Sequence, residues 1–277
     1  MLRSRWGMVA AYGGLTAVSV VWLIPLASVL MTSLRPQSEI REGWWHLRDA
    51  TFTFENYVDA WNQGLRGFVV NSIVITCLSV ALTVAVGALA AYAFSFLSFP
   101  LKGMWYFLLI TTMIVPIQLI LIPLLPWFRS LGFDQGPVGP FVGIALVHTA
   151  FGAGWAVFMI TSFMRELPDE LLEAATIDGA GHRDVFLRVV LPLSLPGIVS
   201  FAIIDFIFVW NDLLLALTLL GRDYQPLPVG LANLQSPHLA QDDIVSAGAM
   251  MAILPPVALF VVLNRYYVRG LFAGSNR

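Results

Sequence analysis

Asp205 and Asp212 are the only charged residues in a long apolar stretch that ends at Arg222. They are seven residues apart, so about 700° of helical rotation brings both carboxyl groups to nearly the same helix face. Ionisable groups in such a segment usually face a polar cavity or a partner. The spacing therefore predicts either a polar lining, shared with Trp210 and Asn211, or a structural brace centred on Asp212.

Other side chains in the apolar stretches could also contact a solute. Trp155, Trp210 and Phe208 have flat faces that can stack on a ring, although such aromatics more often pack or lie at a membrane interface. His148 is more typical of a hydrogen-bonded packing residue than of a ligand. The four histidines and the single cysteine show no metal-binding spacing, so no metal site is predicted.

The sequence offers no arrangement for catalysis. There is no Ser/His/Asp or Cys/His constellation that can be defended, and no pair of carboxyl groups in an identifiable pocket. The single lysine, Lys102, is not preceded by the glycine-rich pattern of a nucleotide-binding P-loop. We therefore predict no catalytic residue and no ATPase site of its own.

Composition places the chain in a lipid bilayer. Its 277 residues are 58% apolar and only 12% charged, where soluble domains have roughly 45–50% and about 25%. The mean hydropathy is +0.80. A cytosolic enzyme and a disordered chain are excluded. A net charge of −2 without a basic block argues against nucleic-acid binding.

The long charge-free intervals predict an all-α membrane protein. A spanning helix needs about 20 mainly apolar residues, and the continuous runs lack the alternation of a β-barrel. The first run is too long for the core of a signal peptide, so we interpret it as a retained span. The sequence predicts a single transmembrane domain over residues 1–277 with spans at about 8–31, 69–93, 104–126, 141–164, 197–219 and 244–264.

Prolines predict irregularities in two of these spans. The third span contains Pro116, Pro123 and Pro126, and the sixth contains Pro255 and Pro256. Proline lacks an N–H group and clashes with the preceding turn, so these helices are expected to kink or break.

Basic residues predict the orientation of the spans. With the N-terminus in the cytoplasm, nine Lys and Arg residues lie inside and six lie outside. The positive-inside rule therefore favours a plasma (inner) membrane protein with both termini cytoplasmic. The longer polar segments are then a cytoplasmic loop, 165–196, and two external loops, 35–67 and 221–243.

The cytoplasmic loop contains two helix patterns. Pro168 suits the first helical position, and Asp178-Gly179 supplies a stop because glycine accepts positive φ. The second helix is expected to run from about His182 to Val190 and to end near Pro192.

The first of these helices is too short to span a membrane and too apolar to lie bare in water. Its adjacent alanines, Ala174 and Ala175, would allow another surface to approach closely. Two interpretations remain open. The helix is either a docking surface for a cytoplasmic partner or an amphipathic helix that lies flat on the membrane.

The residues of this loop fit a known family pattern. Glu173-Ala174-Ala175, three residues, Gly179, nine residues, Val189, one residue and Leu191-Pro192 follow one another in the order E-A-A-x3-G-x9-I-x-L-P, with valine in place of isoleucine. This spacing resembles the EAA motif of ABC importer permeases. The resemblance favours docking.

Further segments extend the resemblance over the chain from about residue 15 onward. They are similar to the carbohydrate-uptake branch, in particular to the smaller six-span permease of the maltose-type pair. These segments are Asn71-Ser72, Trp210-Asn211-Asp212, Pro228-Val229-Gly230-Leu231 and Val268 to Gly274.

The resemblance implies a sugar importer in which this chain forms half of the translocation path. It implies a heterodimer with a second permease subunit, two cytoplasmic ATPase subunits that bind ATP and Mg, and an extracytoplasmic solute-binding protein. No cofactor is expected in this chain.

The resemblance also assigns roles to residues. ATPase coupling is expected at Glu173, Ala174, Ala175, Asp178, Gly179, Leu191 and Pro192. A loop that probes the binding protein or the substrate is expected at Asn233, Gln235, Ser236 and His238, unless 221–243 is a plain solvated connection. A translocation path is expected at Asp205, Trp210, Asn211 and Asp212, although the larger permease is implied to make most sugar contacts.

Two alternative functions remain. An ion-coupled secondary transporter would use the two intramembrane aspartates, but it would leave the E-A-A loop without a role. A permease for glycerol-phosphate-type substrates would need cations near the cavity, and the predicted spans contain none.

Overall fold

The computed structural model describes residues 5–41, 43–48, 50–234 and 241–273, and over these residues it is helical without a β-strand. This confirms the all-α prediction. The α-helices are α1 (Arg5–Ser33), α2 (Gln37–Ile40), α3 (Glu55–Ala60), α4 (Arg66–Phe96), α5 (Lys102–Thr111), α6 (Ile117–Ser130), α7 (Gly139–Met164), α8 (Asp169–Ile177), α9 (His182–Asp184), α10 (Leu191–Trp210), α11 (Leu214–Leu219), α12 (Leu227–Leu234) and α13 (Asp242–Ala273).

Five of the described helical segments are long and apolar enough to cross a membrane, and a bent pair raises the number to six. The pair is the predicted third span. It comprises α5 with the 3₁₀ turn Thr112–Ile114, followed by α6, and the two parts meet at 100°. Pro116 lies at the bend and has an extended conformation. The prediction of a broken third span is therefore confirmed at this proline.

The other prolines do not interrupt their helices. Pro123 and Pro126 lie inside α6, and Pro255 and Pro256 lie inside α13. The expectation of a break was wrong at these positions. Neighbouring helices and local backbone adjustments can satisfy the groups that proline frees in a membrane helix.

The region around the predicted fifth span, 197–219, also differs from expectation. The second loop helix does not end near Pro192, because α9 continues through a π-helical turn, Val185–Val190, directly into α10. Pro192 lies in the first turn of α10, directly after this π-helical turn. Residues 182–196 of the predicted loop are therefore continuous in helical structure with the fifth span. At its other end the span stops at Trp210 and resumes as α11.

The described residues fall into two compact units. Unit 1 contains the residues up to Arg66 and Gly230–Leu254. Within it, Arg35 is buried and its Nε lies 3.2 Å from Glu39 Oε2. Asn56 Nδ2 donates to the main-chain carbonyls of Ser33, at 3.0 Å, and of Arg35, at 2.8 Å. These polar contacts fold the segment that follows α1.

Unit 2 contains Gly67–Val229 and the described residues from Pro255 onward. Its helices pack closely: a Cβ atom added at Gly87 of α4 would lie 2.4 Å from Cβ of Ala156 in α7. Two buried apolar clusters lie in this unit. One contains Ile75, Phe128, Ile144, Leu215 and Val229, and the other contains Ala88, Tyr92, Ile160, Val190 and Phe201.

Candidate functional site

Helix α8 ends in a capping turn that requires a positive φ. Gly179 has φ of 82°. The N–H of Ala180 donates to the carbonyl of Ala175 and that of Gly179 to Thr176, both at 3.0 Å. This pair of bonds is the Schellman motif, with the glycine one position beyond the C-cap. The motif explains why the glycine follows the second alanine of E-A-A by four residues.

The start of α8 is slightly different from the prediction. Pro168 lies at the N-cap with ψ of 132°, one residue before the helix, rather than at the first helical position. Asp169 and Glu170 form the first turn, where acidic groups stabilise the helix dipole.

The two faces of α8 have different environments. Leu172 and Ala175 are half-buried and pack against the second apolar cluster of unit 2. Glu173 and Ala174 are exposed, and Ile177 is 86% exposed. A largely exposed isoleucine beside an exposed alanine is an apolar surface that water does not stabilise.

The rest of the predicted coupling set lies near α8 or at the start of α10. Asp178 and Gly179 are exposed, as is Pro192. Leu191 is half-buried against the same cluster as α8. The structure thus brings Ala175 and Leu191 onto one core and leaves Glu173 and Ala174 free of that core.

Tyr92 near the end of α4 joins this region to the spans. Its hydroxyl donates to the carbonyl of His182 at 3.2 Å, and its ring centroid lies 5.1 Å from that of Phe186. Tyr92 belongs to the cluster on which Leu172 of α8 packs. Helix α8, α4 and the turn that leads into α10 therefore share this cluster. No sequence pattern singled out Tyr92.

A second feature is a cavity of about 360 Å³ at the break of the third span. Asp205, which is 6% exposed, lies on its wall. The Asp205 carboxyl group has the hydroxyl of Thr83 as a hydrogen-bonding neighbour, and its Oδ2 has no partner among the described residues. Trp155 and Phe208, two of the three aromatics considered for stacking, line the same cavity.

Asp212 lies in a different environment. Its carboxylate accepts hydrogen bonds from the N–H groups of Leu215, at 3.2 Å, and Ala216, at 3.1 Å, in the first turn of α11. His148 Nε2 is 3.6 Å from Asp212 Oδ2. Because the side chain caps α11, the geometry is that of the structural brace.

The other two residues predicted for a translocation path do not lie on the cavity wall. Trp210 is buried and stacks on Phe206 with ring centroids 5.6 Å apart. Asn211 is exposed, and its Nδ2 donates to the carbonyl of Ile207 in its own helix. Of the four predicted residues, only Asp205 lines the cavity.

Asn71 and Ser72 have a role that the sequence did not reveal. Asn71 Nδ2 donates to the carbonyls of Asp223, at 2.9 Å, and Gln225, at 3.0 Å. Ser72 Oγ accepts from the N–H of Leu227 at 2.7 Å. The start of α4 therefore fixes the turn that follows α11, more than 150 residues later in the chain. The only sequence signal for this role was the position of two adjacent polar residues, Asn71 and Ser72, at the start of an apolar run.

The predicted probing loop is only partly described. Asn233 is exposed on α12. Gln235, Ser236 and His238 lie outside the described residues. The described part of the segment 221–243 contains a 3₁₀ turn, Arg222–Tyr224, and α12.

Apolar spans with a short, partly exposed helix between the fourth and the fifth define a multi-pass membrane permease. Residues 83–272 match the family described as the binding-protein-dependent transport system inner membrane component. The chain belongs to this family, and it is a permease subunit of an ABC transporter of the inner membrane.

Curated relatives cover nearly the whole chain. The osmoprotective compounds uptake permease protein GgtD of Synechocystis sp. is 34% identical over 279 residues, with 98% of this chain and 92% of that protein covered. The trehalose transport system permease protein SugB of Mycobacterium tuberculosis is 34% identical over 259 residues, with 91% and 92% covered.

A solved structure has a similar fold. A chain of a bacterial ABC transporter involved in the import of the acidic polysaccharide alginate superposes with a TM-score of 0.80, covering 96% of this chain and 98% of that one. The sequence identity is 20%. At this identity the likeness concerns the fold.

Proposed function

We propose that this chain is one of two different permease subunits of an ATP-driven carbohydrate importer. Residues 1–277 would act as one transmembrane domain with both termini in the cytoplasm. Two cytoplasmic ATPase subunits would bind ATP and Mg, since the sequence shows no P-loop pattern around its single lysine, Lys102. An extracytoplasmic solute-binding protein would deliver the sugar. The relative named for trehalose transport supports the substrate class.

The observation that carries the proposal is the division of α8 into two faces. Leu172 and Ala175 attach the helix to the core of unit 2, and Glu173, Ala174 and Ile177 point away from it. A helix of nine residues has too few hydrogen bonds to be stable alone. Packing and the Schellman turn supply that stability, so the exposed face is available to a partner.

The coupling step follows from these attachments. When ATP closes the two ATPase subunits, each would hold one permease helix such as α8 in a surface cleft. Helix α8 would move as a rigid body, because its end is fixed by the Gly179 turn. Its contacts with Tyr92 and with the π-helical turn would transmit the motion to α4 and α10. The exposed Glu173 would pair with a basic group on the ATPase.

On the opposite side of the membrane, we assign a probing role to the segment around Asn233. A hydrogen-bonding side chain on the exposed surface of α12 can reach a docked binding protein or the sugar that it releases. Asp205 would face the translocation path, and Asp212 would brace the adjoining helices.

The test is ATP-dependent uptake by the reconstituted complex with its binding protein. Ala174→Asp places a charge on the exposed face of α8 without disturbing its buried face. We expect it to lower sugar-stimulated ATP hydrolysis and uptake by about tenfold, as an unpaired charge in an interface typically does. The matched control is Ala174→Ser, which changes the same position without a charge.

Both variants of the permease should fold equally well, because Ala174 is exposed in this chain. Equal uptake by Ala174→Asp and Ala174→Ser would remove α8 from the coupling step. A complex without any co-purifying ATPase and with uptake driven by an ion gradient would overturn the importer proposal itself.

A further inference from the structure

The cavity at the break of the third span has the dimensions of a ligand site. Its volume of about 360 Å³ lies within the range of about 300–1,000 Å³ typical of small-molecule pockets. Its walls come from the bend beside Pro116, from α7 and from α10, so three different elements converge on it. The residues on these walls include Thr112, Val115, Phe151, Trp155, Phe201 and Phe208.

Four of the twelve described residues that line the cavity are aromatic: Phe151, Trp155, Phe201 and Phe208. Trp155 is 51% exposed and Phe208 is 60% exposed. An aromatic face against the C–H face of a sugar ring removes apolar surface from water on both partners. This arrangement suits a flat, partly apolar ring.

Asp205 adds one strong hydrogen-bonding group to this apolar surface. A buried carboxyl oxygen without a partner is costly, and native structures usually provide it with one. Asp205 Oδ2 has no partner among the described residues. Gly152 lies beside it on the wall, where an added Cβ atom would lie 2.7 Å from Cγ2 of Thr83 and 3.2 Å from Asp205 Oδ1, so the glycine allows close packing at this point. A hydroxyl-bearing ligand would satisfy this oxygen.

The charges of the lining restrict the ligand further. Among the described residues that line the cavity there is no Lys, Arg or His. An anionic ligand would bury its charge beside Asp205 without a counter-charge, which is strongly unfavourable. The lining therefore favours a neutral ring that presents an apolar face and a hydroxyl group, and it disfavours uronic acids and phosphates.

We propose that this cavity is a subsite for one ring of a neutral carbohydrate. Trp155 and Phe208 bind the ring faces, and Asp205 binds a hydroxyl group. The proposal rests on the carbohydrate function above and deepens it, because it places direct sugar contact and selection against acidic sugars in this subunit.

Cysteine accessibility tests the subsite directly. The single cysteine, Cys77, is exposed and is first replaced by serine. Trp155→Cys is then introduced, and its reaction with a maleimide is followed in the full complex with binding protein and a non-hydrolysable ATP analogue. Trehalose, melibiose and raffinose are the neutral probes, and an alginate pentasaccharide is the acidic probe.

We expect at least one neutral probe to slow labelling of Trp155→Cys about tenfold, whereas the acidic probe leaves it unchanged. The matched control is Trp105→Cys. Trp105 is also 51% exposed but does not line the cavity. Its labelling should not depend on sugar. Equal effects at both positions, protection by the acidic probe, or no protection by any neutral probe would each overturn the subsite.

Transport provides a second measurement. Trp155→Ala should lower uptake of an accepted neutral sugar about tenfold, the value of a good aromatic contact. Sugar-free ATP hydrolysis should be retained, and Trp105→Ala should stay within about twofold of wild type. Unchanged uptake by Trp155→Ala would overturn only the subsite. A wild-type complex that imports no carbohydrate would overturn the proposed function itself.

Discussion

The α8 end of unit 2 and the opposite end, where α4 begins, are held by different kinds of contact. Near α8 the attachments are apolar packing by Leu172 and Ala175 and the backbone turn at Gly179. At the start of α4, Asn71 and Ser72 bind the backbone of the turn after α11 directly. The two ends are about 30 Å apart along α4.

This difference indicates different mechanical roles. Polar side chains that bind specific backbone groups fix one geometry, because the bond is lost when either partner moves by about an ångström. Apolar packing is non-directional and tolerates small sliding movements. The α8 end is therefore suited to displacement as a rigid helix. The Asn71 end is suited to keeping the start of α4 and the turn after α11 in a fixed arrangement, which we call the frame. We therefore expect substitutions at the Asn71 end to lower stability and substitutions at the α8 end to lower the coupling of ATP hydrolysis to uptake.

The largest expected effect is a loss of stability at Asp212. This residue caps α11, the helix that precedes the turn bound by Asn71. Asp212→Leu removes the acceptor of two N–H groups in α11 and the polar neighbour of His148. We expect the loss of an N-terminal cap and of buried hydrogen bonds to cost about 2–3 kcal/mol. Thermal unfolding of the purified complex in detergent should show this as a lower midpoint.

Asp212→Asn is the control for this prediction, because its amide oxygen keeps one hydrogen-bond acceptor. This variant should lose less than half as much stability as Asp212→Leu. The ratio of uptake to ATP hydrolysis should be unchanged in both variants. A normal unfolding midpoint with a changed ratio of uptake to ATP hydrolysis would give Asp212 a role in coupling. It would contradict the proposed difference between the two ends of unit 2.

The next largest effect is a loss of uptake on substitution of Gly179, at the α8 end. A β-branched residue at the Gly179 φ of 82° costs about 1–2 kcal/mol, although the surrounding space is open. Gly179→Val should therefore distort the capping turn and lower uptake about tenfold at a nearly normal rate of sugar-free ATP hydrolysis. Gly179→Asn, which accepts positive φ more readily, should recover most of the uptake. Normal uptake by Gly179→Val would exclude a coupling role for this turn.

Local sequence rules predicted the α8 end well. The Asp178-Gly179 stop and the acidic first turn are short-range signals, and both occur in the structure. The same rules failed at Pro192, because the outcome there depends on the π-helical turn that joins α9 to α10. These rules also failed to predict that α13 continues as one helix through Pro255 and Pro256.

The long-range features could not be predicted from local patterns. The contact of Asn71 with Gln225 joins residues more than 150 positions apart. The seven-residue spacing of Asp205 and Asp212 assumed one continuous helix. The chain instead leaves α10 after Trp210, so the two carboxyl groups enter separate environments. The cavity beside Asp205 depends on the 100° bend, whose angle no sequence pattern encodes.

A smaller loss of stability is expected at Asn71. Asn71→Ala removes the donor of two hydrogen bonds and leaves the carbonyls of Asp223 and Gln225 without it. We expect a loss of about 1 kcal/mol, seen as a lower unfolding midpoint with an unchanged ratio of uptake to ATP hydrolysis. Thr111→Ala is the control, because that exposed hydroxyl bonds only to its own helix. Equal midpoints in the two variants would remove Asn71 from the frame.

The smallest effect is expected at Tyr92. Its hydroxyl makes the polar contact with His182 at the α8 end, and its ring packs on Phe186. If apolar packing transmits the motion of α8, Tyr92→Phe keeps the ring and should cost about 0.5–1 kcal/mol, with uptake within about twofold of wild type. Tyr92→Ala removes the ring and should lower coupled uptake several-fold. Uncoupling by Tyr92→Phe as severe as that by Tyr92→Ala would mean that a directional hydrogen bond carries the motion. Both ends of unit 2 would then be held by the same kind of contact.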